Sequence, residues 1–192
     1  MNSIFEDVFK KHIKKLKNID IENDSLIIAF AGVPGSGKTS IAIELEKRLK
    51  GMRISSMDVQ LLLEGLRKEK LYEGHILEKR EYIYCLLEKI FREYRNKLII
   101  LDKGIDRTYE EVKDFCYKNY VKLLVIALDV GKDVVRERLI LREGKLAIDY
   151  LNNLDRWFED YQDFKNKGNY DFLFDTEIYT SEEIAERIIE NI

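Results

Sequence analysis

Residues Gly32 to Thr39 read Gly-Val-Pro-Gly-Ser-Gly-Lys-Thr: a glycine, four free positions, then Gly-Lys-Thr. The pattern restricts the fold because it works only between the end of a strand and the start of a helix. Both flanks comply. Leu26 to Ala31 is a short apolar, β-rich run, and Ser40 to Lys50 has helical periodicity.

The residue types explain one another as a phosphate cradle. Gly32, Gly35 and Gly37 let the backbone approach a polyphosphate with no Cβ in the way. The amides of Gly32, Val33, Pro34, Gly35, Ser36, Gly37, Lys38, Thr39 and Ser40 form the binding segment; proline contributes shape rather than a donor. Pro34 is the sole proline of the chain, and it stiffens a loop that must be set before its ligand arrives. The following helix adds the positive end of its dipole. Lys38 reaches the β- and γ-phosphates, and the Thr39 hydroxyl ligates Mg²⁺. The expected ligands are ATP and Mg²⁺.

A length of 192 residues with 45% hydrophobic content suits one α/β domain spanning 1–192. No apolar run is long enough to cross a bilayer, and the first ten residues lack a secretory leader's basic-then-apolar order. The expected compartment is cytoplasmic. A net charge of −3 gives no global pull toward nucleic acid. Cys85 and Cys116 sit in helical patterns without metal spacing and read as buried free thiols. His12 and His75 are isolated and receive no role.

The remainder alternates strand and helix. An amphipathic helix over 3–17 forms an N-terminal helical extension within 1–24. Strands are expected at 26–31, 53–57, 97–101, 122–128 and 171–174. The helix after the first strand should close at Gly51 as its C′ residue. Thr108 and Glu111 form a capping box opening helix 109–118, as Thr180 and Glu183 do for the last helix. Helix 132–143 should stop at Gly144. Continuous apolar strands between helices imply a parallel sheet covered on both faces. Residues 59–96 read as a helical substrate-side region. Residues 132–169 read as a lid-like helical region with Trp157, Tyr150, Phe158, Tyr161 and Phe164, whose spacing is that of packing.

Ligands of open parallel sheets bind at the carboxyl ends of the strands, where Asp58, Asp102, Asp129 and Asp175 fall. Asp102 closes an apolar run and is the second candidate metal residue beside Thr39, with a turn or cap as the alternative. Asp58 is placed to take the proton of an acceptor hydroxyl, with capping of helix 59–66 as the alternative. Asp129 and Asp175 are assigned to turns. Arg138 and Arg142 share a helix face and are candidates to fold over a transferring phosphoryl group; the alternative is a solvated helix paired through Glu137 and Glu143. Arg136 and Arg107 are weaker candidates. Lys103 meets either an anionic substrate or solvent.

With these residues in view, the chain resembles the small ATP-dependent P-loop kinases, the group of polynucleotide 5′-kinases, zeta-type toxins, gluconate kinases and chloramphenicol phosphotransferases. The likeness rests on residues 32–39, Ser-Ser-Met-Asp at 55–58, Leu-Ile-Ile-Leu-Asp at 98–102, Arg-Leu-Ile-Leu-Arg at 138–142 and Tyr-Asp-Phe-Leu-Phe-Asp-Thr at 170–176. It implies a three-layer P-loop NTPase fold with a five-stranded parallel sheet of order 2-3-1-4-5. It also implies catalytic roles for Lys38, Asp58, Arg138 and Arg142, with the adenine bordered near Asp175 and Thr176. Polynucleotide kinases tend to carry an arginine just beyond the base aspartate. Here Val59-Gln60-Leu61 follow, and the nearest arginine is Arg67.

The expected activity is transfer of the γ-phosphate of ATP·Mg to a hydroxyl of a small-molecule or nucleotide-like acceptor. Nucleic-acid ends stay open without being favoured, and no membrane partner is expected. The alternatives are a polynucleotide 5′-kinase or zeta-like toxin kinase, and a non-enzymatic ATP-binding switch. A nucleoside monophosphate acceptor is faintly echoed by Leu101 to Thr108. No Asn-Lys-x-Asp segment is present, which disfavours a GTPase.

Overall fold

The computed structural model describes residues 25–68, 79–94 and 97–192. Five strands, β1 (Leu26–Ala31), β2 (Met52–Ser55), β3 (Leu98–Gly104), β4 (Lys122–Asp129) and β5 (Phe172–Asp175), form one sheet. Every pairing is parallel and the order is β2-β3-β1-β4-β5, the order that the resemblance implies. β1 lies at the centre, and Ile27 through Ala31 are sealed from solvent. A strand buried on both faces has no polar side to alternate with, which is why this one reads as a continuous apolar run.

The described helices, in chain order, are α1 (Lys38–Leu49), α2 (Ser56–Lys68), α3 (Lys79–Glu93), α4 (Tyr109–Lys118), α5 (Lys132–Glu143), α6 (Ala147–Leu151), α7 (Leu154–Asn166) and α8 (Ser181–Ile189). A 3₁₀ turn at Gly144–Leu146 joins α5 to α6. Helices α1 and α8 cover one face, with Ile41, Leu45, Ile184 and Ile188 packed on Ile28, Phe30 and Ile126. On the other face Val59, Leu86, Val112, Leu139 and Phe164 meet Ile27, Ala29, Ile99 and Val125. Each such fully buried aliphatic side chain stabilises the fold by roughly 1.5–3 kcal/mol before entropy is counted. The result is three layers, helix, sheet and helix.

Several local expectations change. Strand β2 stops at Ser55 and α2 begins at once, so Met57 and Asp58 lie in its first turn. Strand β3 runs past Asp102 to Gly104, and its register against β1 slips between Ala29, opposite Leu101, and Phe30, opposite Gly104. Asp102 and Lys103 therefore form a bulge, which re-aims side chains beside the phosphate loop. Gly51 is not the left-handed cap of α1; Lys50 is, at φ 52°. Gly51 is small for another reason: a Cβ there would come within 3.0 Å of the Leu98 side chain.

The two expected capping boxes divide. Thr180 and Glu183 bond reciprocally at the start of α8. Thr108 makes no side-chain cap, and its buried hydroxyl has no hydrogen-bond partner among the described residues. Glu111 is drawn away by Arg80 of α3, an ion pair that sequence spacing cannot see. Gly144 ends α5 as expected. Of the two thiols, neither in a disulfide, Cys116 is buried and Cys85 is half-buried. The N-terminal helical extension, His12, His75 and positions 69–78 and 95–96 of the 59–96 region lie outside the described residues.

Candidate active site

The loop between β1 and α1 has the backbone that its glycines permit. Gly32 has φ 147°, and a Cβ there would lie 2.7 Å from the Ser36 hydroxyl. Gly37, at φ 96°, is the left-handed residue preceding α1. Lys38 curls back into this loop: its Nζ donates to the carbonyls of Gly32 and Val33, each at 2.7 Å, and to Ser36 Oγ at 3.2 Å. Burial pushes the Lys38 ammonium down to about 8; Arg142 pushes the same way, while Asp106 and Asp102 pull it back up. The three acceptors satisfy the ammonium, and neutral carbonyl oxygens hold a cation less strongly than anionic oxygens do.

At the next residue, Thr39 Oγ1 donates to Asp102 Oδ1 at 3.0 Å. Asp102 is among the few buried charged residues. Its second oxygen is taken by Arg53 Nη1 at 2.7 Å. Arg53, from β2, also donates through Nε to Glu46 at 3.0 Å and stands 3.5 Å from Asp58 Oδ2. Burial opposes its charge, but the bonds to Glu46 and Asp102 outweigh that and raise its already high pKa. A threonine hydroxyl and a carboxylate oxygen side by side, next to a phosphate cradle, are hard donors that fit magnesium. That ion takes most of its remaining ligands from phosphate and water.

Asp58 is exposed, and it is not the cap of α2. Its own amide donates to Ser55 Oγ at 3.2 Å, so Ser55 fills that place. The carboxylate is left facing Arg53 and solvent.

On α5 the two singled-out arginines part company. Arg138 donates to the Gly35 carbonyl at 3.2 Å, to Thr176 Oγ1 at 3.1 Å and to the Thr176 carbonyl at 3.0 Å. It ties the phosphate loop to the segment after β5. Arg142 points outward, bonded to Glu143 at 2.6 Å and lying 5.8 Å from the Tyr150 ring centroid. Arg136 pairs with Asp133 and Arg107 with Asp160, both on the surface. Val135 and Leu139, on the inner face of α5, back Gly35 directly.

Of the remaining strand-end aspartates, Asp175 serves its turn, accepting the Glu177 amide at 2.8 Å. Asp129 does more than turn the chain. It accepts Tyr161 Oη at 2.8 Å and Lys165 Nζ at 3.1 Å, anchoring α7 to the end of β4. Burial first, then that bond to Asp129, drives the Tyr161 phenol well above its usual range. Lys103 does not lie free in solvent: it is half-buried near the Tyr84 ring, and burial followed by Arg80 pushes its pKa down.

Two residues of this site escaped the sequence reading. Arg53 stood among the apolar residues of β2, where alternation sends it to the face opposite Met52 and Ile54; that alternation was its signal. Asp106 accepts the Gly32 amide at 3.3 Å and acts on Lys38 through its charge. Nothing local marks Asp106, because its place depends on the β3 bulge.

Comparison with known proteins agrees with this fold. No protein-family model matches the chain. It is 25% identical over 130 residues, 67% of its length, to a probable adenylyl-sulfate kinase of Pseudomonas aeruginosa. Over 103 residues, 51% of its length, it is 32% identical to Lon protease of Lachnoclostridium phytofermentans. These matches span 59% and 12% of those two relatives. Among solved structures it superposes on the tunicamycin resistance protein of Deinococcus radiodurans with a TM-score of 0.53 and 25% identity, covering 86% of this chain and 94% of that one. Shikimate kinase from Bacteroides thetaiotaomicron gives 0.55 and 18%, covering 86% and 97%. The fold is that of the P-loop kinases. In P-loop kinase terms, the loop, the Thr39–Asp102 pair and α5 stand together at the carboxyl edge of the sheet. No helix among the described residues is long and apolar enough to cross a membrane.

Proposed function

We propose that this protein is an ATP-dependent phosphotransferase that moves the γ-phosphate of ATP·Mg to a hydroxyl of a small-molecule or nucleotide-like acceptor. The observation that carries the reading is Lys38, folded onto two carbonyls of its own glycine loop beside the Thr39–Asp102 pair. Loop amides and Lys38 receive the β- and γ-phosphates. Thr39 and Asp102 would hold a magnesium ion, whose charge offsets that of the phosphate oxygens.

Asp58 accepts the proton of the acceptor hydroxyl as its oxygen bonds to the γ-phosphorus and the bond from that phosphorus to the β,γ-bridging oxygen breaks. ADP leaves, and Asp58 later returns the proton to solvent. Arg53 sits between Asp58 and Asp102 and fixes both carboxylates. Arg138 holds the phosphate loop against Thr176, near the adenine side. Arg142, already felt electrostatically at Lys38, swings from Glu143 to the transferring group when α5 and α6 close. Catalysis by this arrangement is mostly positioning and preset charge.

The test is ADP release, measured across sugars, nucleosides, aminoglycoside-like compounds and oligonucleotide ends. Stimulation by a hydroxyl compound, abolished in Lys38→Ala, supports the reading. Nucleotide binding with no stimulated turnover by any of them would leave a switch protein instead.

A further inference from the structure

The bulge in β3 delivers a second side chain beside Asp102. Lys103 reaches toward Tyr84 of α3, on the face opposite α1, and the residue is half-buried. Its Nζ lies 5.9 Å from the Tyr84 ring centroid, and among the described residues no hydrogen bond or ion pair holds it. An ammonium partly withdrawn from water and without a protein partner gains from an anion that arrives from outside.

The carboxylates nearby bond to other groups. Glu111 pairs with Arg80 through Oε1 and keeps Oε2 without a hydrogen-bond partner among the described residues, and Asp106 Oδ1 accepts the Gly32 amide. Lys79, a further cation acting on Lys103, donates to Gln60. Lys103 therefore shares its surroundings with two further cations, Lys79 and Arg80, and has no hydrogen bond or ion pair to either Glu111 or Asp106 among the described residues.

The position of this lysine is informative. Gly104, the next residue, lies so close to the phosphate loop that a Cβ on it would be 3.8 Å from Lys38 Cε and 3.5 Å from the Gly32 carbonyl. Asp106 acts on both lysines through its charge. One lysine therefore turns into the nucleotide cradle while the other stands just outside it.

Resting on the phosphotransferase reading, we propose that the acceptor carries an oxyanion, a carboxylate, phosphate or sulfate, and that Lys103, with Arg80 beside it, binds that group and so orients the hydroxyl toward the γ-phosphate. The anion would give the Lys103 ammonium the partner that it lacks among the described residues, and neutral polyols would lack this anchor.

The experiment saturates the protein with Mg²⁺ and a β,γ-imido analogue of ATP, so that the phosphate loop is filled, and then titrates sodium sulfate by calorimetry. Sulfate should bind wild type and Lys103→Arg within about threefold of each other, and Lys103→Gln at least about tenfold more weakly, the loss expected for one charge-assisted hydrogen bond. In parallel, ADP release is compared for glycerol against glycerate and glycerol 3-phosphate, and for glucose against gluconate and glucose 6-phosphate. Anionic members should be preferred wherever either member of a set is used. Should Lys103→Gln fail to take the analogue, the matched acceptors on wild type decide. If the analogue itself does not bind wild type, the phosphotransferase reading fails. If it binds but sulfate does not, or sulfate binds Lys103→Gln as well as wild type, or the neutral acceptors are preferred, the oxyanion site is overturned and the phosphotransferase reading stands.

Discussion

Arg53 Nη1 lies 2.7 Å from Asp102 Oδ2, while the same guanidinium reaches to within 3.5 Å of Asp58. One edge-strand arginine thereby spans the two carboxylates given separate roles in phosphoryl transfer. Removing it strands a buried aspartate with Thr39 as its remaining partner. Arg53→Ala should cost about 2 kcal/mol in urea denaturation, less than a fully buried pair because the arginine is partly solvated. Saturating ATP·Mg should recover part of that loss. An unchanged midpoint without nucleotide would show that the pair holds nothing.

Lys38 gives the fold a pH dependence of definite sign. Its folded pKa of about 8 lies below the ordinary 10.5, so the unfolded chain binds the extra proton between those values. Stability therefore rises with pH from about 8 toward 10.5, by on the order of 3 kcal/mol from this group. The difference in urea stability between wild type and Lys38→Met, in metal-free buffer without nucleotide at pH 7.5 and pH 10, reads that contribution. A difference that does not move with pH rules it out.

The same lysine links nucleotide binding to protons. Phosphate oxygens restore its charge, so ATP binding at pH 8 should take up about half a proton. Calorimetry in two buffers of different ionisation enthalpy measures the uptake, and Lys38→Met should abolish it.

Asp58→Asn keeps the size and the neighbour of Asp58 while removing its basicity. Transfer should fall by about 10²–10⁴ with ATP affinity held within about threefold. Near-normal transfer in single-turnover assays would remove Asp58 as the base.

Arg138 should behave as a clamp on the nucleotide loop. Arg138→Ala loses three hydrogen bonds to Gly35 and Thr176, and ATP affinity should drop about tenfold. Arg138→Lys should not rescue it, because an ammonium cannot span the fork. Rescue by lysine would mean that charge, not geometry, matters there.

The two threonines at helix starts should differ in stability. Thr180→Ala removes a working capping box and should cost about 1 kcal/mol. Thr108→Val buries a methyl where an unpartnered hydroxyl stood, and its urea midpoint should hold or rise. Equal losses at both positions would contradict the hydrogen-bond assignment.

What the chain determines by itself is the part encoded in local order. The glycine spacing from Gly32 to Lys38, the apolar run of β1 and the helical period of α5 specify strand, loop and helix, because sterics and burial act within a few residues. They account for the parallel sheet, and the likeness to P-loop kinases added its strand order. The Arg53 bridge, the Arg80–Glu111 pair that dissolves a capping box, the Arg138 tie to Thr176 and the bulge that turns out Asp102 and Lys103 belong to the tertiary structure alone. Charged side chains choose partners by proximity across tens of residues of sequence, and a bulge depends on how two strands settle against each other. Neither quantity is written in any short window of the chain.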